Sequence, residues 1–310
     1  MDFLLFIVAV AVLIYGAELV IKESERIALH FNISSFVIGA SLIAFGTSLP
    51  ELAASLQASI VGKSDIAVSN VLGSVILNIA MVLGLVFLLS KNLKPSRDLF
   101  NLDSAWIFIP VALFILMITD GTISRLEGGI FLFLMVAYLI FLAQDGENLE
   151  GEVDEDLKKA SFNWFKSIAL LAVGFILVIK GADLTIESAA AIARTFGVSE
   201  WVIGLLLLAF GTSLPELVVS IKAALKGNAE MSIGNIIGSN VANFSMVLGS
   251  AALANPITLN MERSFFDLVA VTIISMVFIF VLANRLYNRS TGIIFLAMAA
   301  LVVNNALTAL

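Results

Sequence analysis

A seven-residue segment that contains a carboxylate occurs twice in this chain. Gly46–Leu52 and Gly211–Leu217 both read Gly-Thr-Ser-Leu-Pro-Glu-Leu, and both lie inside long apolar stretches. A charged side chain at bilayer depth costs about 2–3.5 kcal/mol on insertion scales, so Glu51 and Glu216 are functional candidates by default. The neighbouring Thr, Ser, Gly and Pro residues indicate that each segment offers oxygen atoms inside a membrane protein.

Pro50 predicts a break in the helix that carries the first segment. Proline has no N–H, so the carbonyl of Gly46 loses its helical partner, and Gly46 itself permits a sharp turn. We therefore expect the carbonyls of residues 44–47 to be free to face the protein interior. The same argument around Pro215 frees the carbonyls of residues 209–212.

These oxygens, together with the two carboxylates, favour a hard cation. Ca²⁺ takes about 6–8 oxygen ligands, many from carboxylates and carbonyls. The next span of each half adds a polar stripe at i, i+4 and i+8, which places amide and hydroxyl groups on one helix face. The stripe residues are Asn70, Ser74, Asn78, Asn235, Ser239 and Asn243. Zinc and copper are not indicated, because the chain has no cysteine and its one histidine, His30, falls in a predicted loop.

Both features also permit a purely structural interpretation. Ser48 and Glu51 have the spacing of a capping box, in which the two side chains satisfy free N–H groups at a helix start. We favour ion binding, because Gln would cap without placing a charge in the membrane. Hydrogen bonding between helices competes as the explanation of the stripe, most of all for Asn70 and Asn235.

The composition indicates an integral membrane protein. It is 60% hydrophobic and 13% charged, against about 45–50% and 25% in soluble proteins, and its mean hydropathy is +1.06. We predict an all-α membrane protein with ten transmembrane helices, of which helices 2 and 7 are broken. The predicted spans are 3–21, 34–61, 66–89, 105–119, 128–143, 165–184, 200–225, 231–254, 265–283 and 291–308. We expect membrane lipids and inorganic cations as partners, and no nucleic acid, organic cofactor or obligatory protein partner.

The two halves of the chain match at a constant offset, 212 − 47 = 165. Five spans in each half is an odd number, so the second half must insert upside down relative to the first. We predict a first repeat over 1–144, an acidic connector over 145–162 and a second repeat over 163–310. Inverted-repeat transporters place their substrate sites near the bilayer midplane, where the repeats meet.

Basic residues predict the orientation. The odd-numbered loops contain twelve Lys and Arg residues, and the even-numbered loops contain four. Cytoplasmic loops carry the basic excess. We therefore expect a multi-pass protein of the cell membrane with both termini outside and the acidic connector in the cytoplasm.

The paired segments, each followed by Gly-Ser-x-x-x-Asn, resemble the two alpha-repeats of the cation/calcium exchanger superfamily, and most closely those of sodium/calcium exchangers. The resemblance covers nearly the whole chain in span number, inversion and motif order. It implies one central cluster of cation sites, used alternately by Ca²⁺ and several Na⁺ ions. It also implies that the first and sixth spans slide across the rest to alternate access.

By motif position, the resemblance implies a role for each polar group. The two Glu side chains ligate both ions, and the two Thr carbonyls join them at the calcium site. The two Ala carbonyls and the Ser side chains form sodium sites on either side, and two Asn line the middle. The residues concerned are Glu51, Glu216, Thr47, Thr212, Ala44, Ala209, Ser48, Ser213, Ser74, Ser239, Asn78 and Asn243.

Residues that differ from those of related exchangers restrict which ions we expect this protein to carry. Some exchangers, including potassium-dependent ones, have Asp where this chain has Asn243, so we expect a neutral middle position and no potassium co-transport. Proton/calcium exchangers commonly place His near the acidic motif, and this chain has none there. Asn240 stands where the first half has Val75, which we interpret as tolerated variation.

These features predict a secondary active antiporter, not an enzyme, that exchanges Na⁺ for Ca²⁺. The nearest alternative is a proton-driven or less selective divalent-cation antiporter of the same fold. An intramembrane hydrolase would need a nucleophile beside a base, and no span offers His beside Ser. A passive channel would conduct Ca²⁺ without a counter-ion.

Overall fold

The computed structural model describes residues 2–90, 93, 95–144, 162–197 and 211–308, and these residues are almost entirely helical. A short antiparallel pair, β1 (Thr122–Ile123) with β2 (Ile257–Thr258), departs from the all-α prediction. The helices are α1 (Asp2–Phe31), α2 (Ser35–Thr47), α3 (Leu49–Ile60), α4 (Ser64–Leu89), α5 (Leu99–Met117), α6 (Arg125–Gln144), α7 (Trp164–Thr195), α8 (Leu214–Leu225), α9 (Ala229–Ala254), α10 (Met261–Ala283) and α11 (Arg289–Thr308).

Eight of the described helices are long and apolar enough to cross a membrane, and nine spans result if the bent pair α2–α3 counts as one. The seventh predicted span is represented by α8 only, because residues 198–210 lie outside the described part of the chain. The same holds for most of the acidic connector, over residues 145–161. The count of ten spans therefore stays a prediction.

Two helices extend well beyond their predicted spans. α1 continues to Phe31 and α7 to Thr195, because hydropathy marks only the lipid-facing part of a helix. Polar residues beyond that part stay helical when they pack against protein, as the buried Glu23 does in α1. The loop predicted around His30 was therefore wrong. His30 lies in the last turn of α1, and its ring stacks on Phe162 with 4.0 Å between centroids.

The buried apolar side chains form two separate clusters. The larger one draws mainly on α4, α5, α6, α9, α10 and α11, and the smaller one joins α1 and α7 to a few residues of α2, α8 and α9. α1 and α7 approach closely, since a Cβ added to Gly16 would lie 2.8 Å from the Leu177 Cβ, and one added to Gly181 would lie 2.7 Å from the Leu13 nitrogen. These two helices therefore form a pair beside the rest of the bundle.

The loops contact one another in two sets. In the odd-numbered set, Ser96 donates its backbone N–H to Glu230 at 2.8 Å, and Arg285 lies 4.0 Å from Asp98. In the even-numbered set, β1 pairs with β2. Each of these contacts stays within one set, which is consistent with alternate crossing of a membrane.

Arg97 anchors the first turn of α2 from a neighbouring loop. Its side chain is 1% exposed, its Nε donates to Asp103 at 2.7 Å, and its guanidinium carbon lies 4.1 Å from the centre of the Phe36 ring. A desolvated cation over an aromatic face contributes about 2 kcal/mol. This contact fixes the start of the helix that leads into the first motif.

The predicted break in the second span is a bend of 45° between α2 and α3 at Ser48. Pro50 lies in the first turn of α3, where its missing N–H removes no bond from that helix. A π-helical segment, Gly39–Ile43, precedes the bend. Two more π-helical segments, Asn78–Leu83 in α4 and Asn243–Leu248 in α9, begin at the two middle Asn residues. Such segments are frequent at functional sites.

Candidate cation site

Glu51 and Glu216 are fully buried. Glu51 lies in the first turn of α3, and Glu216 lies in the first turn of α8. Glu51 Oε1 accepts a hydrogen bond from Ser74 at 3.3 Å, and Glu216 Oε1 accepts one from Ser48 at 3.1 Å. The Oε2 atom of each carboxylate is buried without a partner. Each carboxylate is therefore held by one oxygen and has the other available.

Hydroxyl groups link the two motifs. Ser48 of the first motif donates to Glu216 of the second. Ser213 of the second motif donates to Ser74 at 3.1 Å, and Ser74 donates in turn to Glu51. These contacts form two hydrogen-bonded groups, and each group joins residues from opposite halves of the chain. That the two carboxylates share one ion stays a prediction.

The capping-box interpretation does not describe this geometry. Neither Ser48 nor Ser213 forms a side-chain cap on the helix that follows it. An N-cap serine accepts a backbone N–H of its own helix, whereas the Ser48 hydroxyl here donates to a carboxylate in the other half of the chain. The serines act at the site between the halves.

Asn70 and Asn235 connect helices. Asn70 Nδ2 donates to a serine of α3 at 2.8 Å, and its Oδ1 accepts from Thr212 at 3.2 Å. Asn235 makes the matching bonds, to a serine of α8 at 2.9 Å and from Thr47 at 3.4 Å. The interhelical interpretation is therefore confirmed for these two residues. They hold each motif threonine from the opposite half.

Polar atoms on the same helix faces, further along, have no partner. Asn243 is fully buried with neither amide atom bonded, and Asn78 Oδ1 and Ser239 Oγ are also buried and unbonded. An unsatisfied buried polar group costs about 1–3 kcal/mol. These unpartnered atoms lie on α4 and α9, the helices that follow those carrying the two carboxylates. Several buried polar atoms without a partner are typical of a ligand-binding site.

The expectation of free carbonyls was wrong for Ala44. Its carbonyl accepts the N–H of Ser48 at 3.1 Å and the hydroxyl of Thr47 at 3.3 Å, so the helical bond is retained. The reason is that α2 keeps its helical pattern up to the bend at Ser48, one residue before α3 begins. The Gly46 carbonyl does face a residue without an N–H, Pro50. Ala209 lies outside the described residues.

Sequence reasoning missed Asn240. This residue is 6% exposed, its Oδ1 accepts a hydrogen bond from Asn78 Nδ2 at 3.1 Å, and its own Nδ2 has no partner. The available signal was the contrast with Val75, a change from apolar to polar beside an otherwise matching stripe.

A cavity of about 230 Å³ lies beside the motifs. Its wall includes Pro50, Thr212 and Pro215 from the motif segments, and Asp183 and Glu187 from α7. Acidic side chains in a cleft attract cations and raise their local concentration. The cavity therefore offers cations an approach to the segments that carry the buried carboxylates.

Comparison with known proteins gives a consistent match over most of the chain. The family model described as sodium/calcium exchanger protein matches residues 1–144 and 166–307. A sodium/calcium exchanger of Methanosarcina acetivorans, MaX1, is 32% identical, over 90% of this chain and 91% of that protein. An uncharacterised membrane protein of Methanocaldococcus jannaschii is 34% identical, over 96% of this chain and 95% of the relative. A solved structure of the sodium-calcium exchanger NCX_Mj, soaked with 10 mM Na⁺ and no Ca²⁺, superposes with a TM-score of 0.81 at 34% identity, covering 98% of both chains.

Proposed function

This chain belongs to the sodium/calcium exchanger protein family, and we propose that it is a secondary active antiporter that exchanges Na⁺ for Ca²⁺ by alternating access. The observation that carries the proposal is the pair of buried carboxylates, one from each motif, each with an unpartnered oxygen. Two Glu side chains offset the charge of one Ca²⁺, and carboxylate oxygens are its preferred ligands.

The ligands we propose are those of the two motifs and the two stripes. Glu51 and Glu216 bind both ions, the Thr carbonyls join them for Ca²⁺, and the Ser oxygens with the Ala209 carbonyl serve Na⁺. The buried, unbonded oxygens of Glu51, Glu216, Asn78, Asn243 and Ser239 support this assignment. The full set is Glu51, Glu216, Thr47, Thr212, Ser48, Ser213, Ser74, Ser239, Asn78, Asn243 and Ala209. Ala44 is left out, because its carbonyl already accepts two hydrogen bonds.

Exchange follows from competition for one charged centre. Burying two unpaired carboxylates in a low-dielectric interior is costly, so an empty site resists the change between outward and inward access. A loaded site neutralises that charge and lowers the barrier. Because Ca²⁺ and Na⁺ need the same carboxylates, the protein carries one or the other in each passage, and an inward Na⁺ gradient drives Ca²⁺ outward.

We infer that the chain forms ten spans in two inverted halves. Matching residues of the two halves make matching contacts, which supports this inference. Thr212 donates to Asn70 just as Thr47 donates to Asn235, at 3.2 and 3.4 Å. Two halves related by a two-fold axis in the membrane plane give such pairs, with the site where the axis crosses the bundle.

Ion flux into vesicles tests the function. We expect purified protein in liposomes to take up ⁴⁵Ca when an outward Na⁺ gradient is imposed, and to take up none when Na⁺ is absent from both sides. Uptake driven by a pH gradient instead would support the proton-driven alternative. Uptake without any counter-ion gradient would contradict antiport and support a channel.

A further inference from the structure

We propose that Asn240 is a positioning residue, which orients the amide of Asn78 so that its oxygen faces the transported cation. This inference rests on the proposed function, because it concerns the same site. Asn78 Nδ2 donates to Asn240 Oδ1 at 3.1 Å, and the Asn78 Oδ1 atom is buried without a partner. The bond therefore occupies the donor end of the amide and leaves the acceptor end available.

The orientation matters because the two ends of an amide have opposite polarity. The NH₂ group only donates and repels a cation, whereas the oxygen can coordinate one. Asn78 is 1% exposed, so water does not compete for its donor end. Without an acceptor at position 240, no hydrogen bond would fix which end of the Asn78 amide faces the site.

The hydrogen bond between Asn78 and Asn240 has no counterpart at the matching positions, 243 and 75. The position that matches Asn240 in the first half is Val75, and Asn243, which matches Asn78, has no hydrogen-bond partner for either amide atom. The fold already holds Val at one of the two matching positions, so Asn240→Val is the natural substitution. Asn240→Asp is its matched control, because Asp keeps an acceptor oxygen at the same place.

Calcium titration of the purified protein tests the proposal. We expect Asn240→Val to weaken Ca²⁺ binding by about 2- to 10-fold, the value of one net hydrogen bond, and Asn240→Asp not to weaken it. In an Asn78→Ala background, Asn240→Val should cause no further loss. If the Val variant does not fold, Asn240→Leu, which branches at Cγ as Asn does, replaces it.

Two outcomes would overturn the role of Asn240. Unchanged Ca²⁺ binding in Asn240→Val would do so, and so would an equal loss in the presence and absence of the Asn78 amide. Failure of the unmodified protein to bind Ca²⁺ would instead contradict the proposed function.

A second inference rests on a different observation, the asymmetry of the bundle around the motifs. The cavity on the α7 side is lined by Gly211 and Ile186. At the offset of 165, their counterparts are Gly46 and Ile21. Ile21 is fully buried, and a Cβ on Gly46 would meet the ring of Phe175, which fills that space. Among the described residues, we call the α7 side, which has the cavity, the open side, and the α1 side, where the matching place is filled, the closed side.

Ion pairs between helices cross the closed side. Glu18 of α1 lies 3.4 Å from Lys222 and 3.6 Å from Lys226, both contributed by α8 and the residue that follows it. Its counterpart on the open side, Asp183, pairs within its own helix, with Lys180 at 3.3 Å. The first half has Gln57 and Val61 where the second has the two lysines, so this link has no copy there.

We infer that Glu18, Lys222 and Lys226 form an ion-pair lock that keeps the closed side shut. Among the described residues, α1 and α7 belong to the smaller apolar cluster, which is separate from the larger one. Movement of these two helices along α8 therefore changes the Glu18–lysine distances without disrupting the larger cluster. The three side chains are 48%, 26% and 34% exposed. Partly solvated pairs change a conformational equilibrium by about 2- to 5-fold.

Thiol labelling tests the lock, because the described residues and the whole sequence lack cysteine. The reporter is Ile21→Cys on the closed side. With Na⁺ and Ca²⁺ removed, we expect Glu18→Gln to increase its rate of maleimide labelling by about 2- to 5-fold. The matched change Asp183→Asn should leave the rate unchanged. Exchanging the charges, with Glu18→Lys and Lys222→Glu and Lys226→Glu, should restore slow labelling.

An unchanged labelling rate in Glu18→Gln would overturn the lock. It would leave the lysines as part of the basic excess of the odd-numbered loops, which needs no acidic partner. Maleimide labelling requires no transport. An unchanged labelling rate would therefore contradict the lock without contradicting the proposed exchange activity.

Discussion

At the scale of single residues, the site combines two kinds of polar side chain with different surroundings. Asn70 and Asn235 have partners at both ends of their amides. Glu51, Glu216 and Asn243 keep buried atoms with no protein partner. Since all of these residues lie in apolar helices, the hydrogen bonds, and not the residue types, separate the groups that support the fold from those available to an ion.

We expect Glu51→Gln and Glu216→Gln each to reduce Na⁺-driven ⁴⁵Ca uptake to background, because Gln keeps the size and the hydrogen bond but loses the charge that binds Ca²⁺. Both variants should remain folded, with unchanged elution on size-exclusion chromatography. Glu262→Gln, at an exposed position in α10, is the control and should transport normally. Near-normal uptake in both site variants would refute the shared carboxylate site.

Asn243→Asp and Asn70→Ala should have different effects. Asn243→Asp adds a titratable group where both amide atoms lack a partner, so we expect a change in cation preference and a new pH dependence of uptake. Asn70→Ala removes bonds to α3 and to Thr212. We expect it chiefly to lower the free energy of unfolding, by about 1–3 kcal/mol.

Flux at several pH values and thermal melts distinguish these effects. Equal and small changes in cation preference and pH dependence for both variants would remove Asn243 from the site.

At the scale of elements, the bend at Ser48 allows one span to serve two purposes. α2 packs against α9 so closely that a Cβ on Gly238 would meet the backbone of Ala40. α3 then turns by 45° and brings Glu51 toward α4. Small residues at such crossings let helices approach, and polar residues then bond between them. A straight helix could not meet both neighbours with the same residues.

We expect Pro50→Ala to reduce uptake at least about tenfold, because Ala supplies an N–H to the Gly46 carbonyl and favours a straight helix. Thermal stability should change little, since Pro50 lies in a first helical turn. Pro110→Ala, at the proline inside α5, is the control for general effects of proline removal. Full transport by Pro50→Ala would show that the bend is not required.

At the scale of the whole molecule, contacts between loops fix the relative positions of the chain's crossings. The odd-numbered loops meet one another through Glu230 and Asp98, and the even-numbered ones through β1 and β2. The basic excess of the odd set then predicts that they face the cytoplasm. We therefore propose that both termini lie outside the cell and the acidic connector inside.

Single cysteines test this orientation in intact cells, because the sequence has none of its own. Lys63 and Ser290 are both exposed: Lys63 lies in an even-numbered loop, and Ser290 lies in the first turn of α11, directly after an odd-numbered loop. We expect a membrane-impermeant maleimide to label Lys63→Cys from outside, and to label Ser290→Cys only after the cells are opened. The reverse pattern would invert the proposed topology.

The amino-acid sequence alone was enough to predict the family, the apolar spans of the described residues and the residues of the candidate site. Two identical segments at a fixed offset, each followed by the same polar stripe, are local patterns that need no knowledge of packing. The comparisons confirmed the family. The described helices lie over the predicted spans, although α1 and α7 end later and α5 begins six residues earlier than predicted.

Which polar atoms are hydrogen-bonded and which lack a partner followed from the three-dimensional packing of the helices. Ser48 meets Glu216 across 168 residues, and Thr212 meets Asn70 across 142. No periodicity encodes such contacts, because they depend on how separate helices cross. For the same reason the roles of Asn240 and of Glu18 with its two lysines were not predictable from their types or spacing, since each depends on a partner from the other half of the chain.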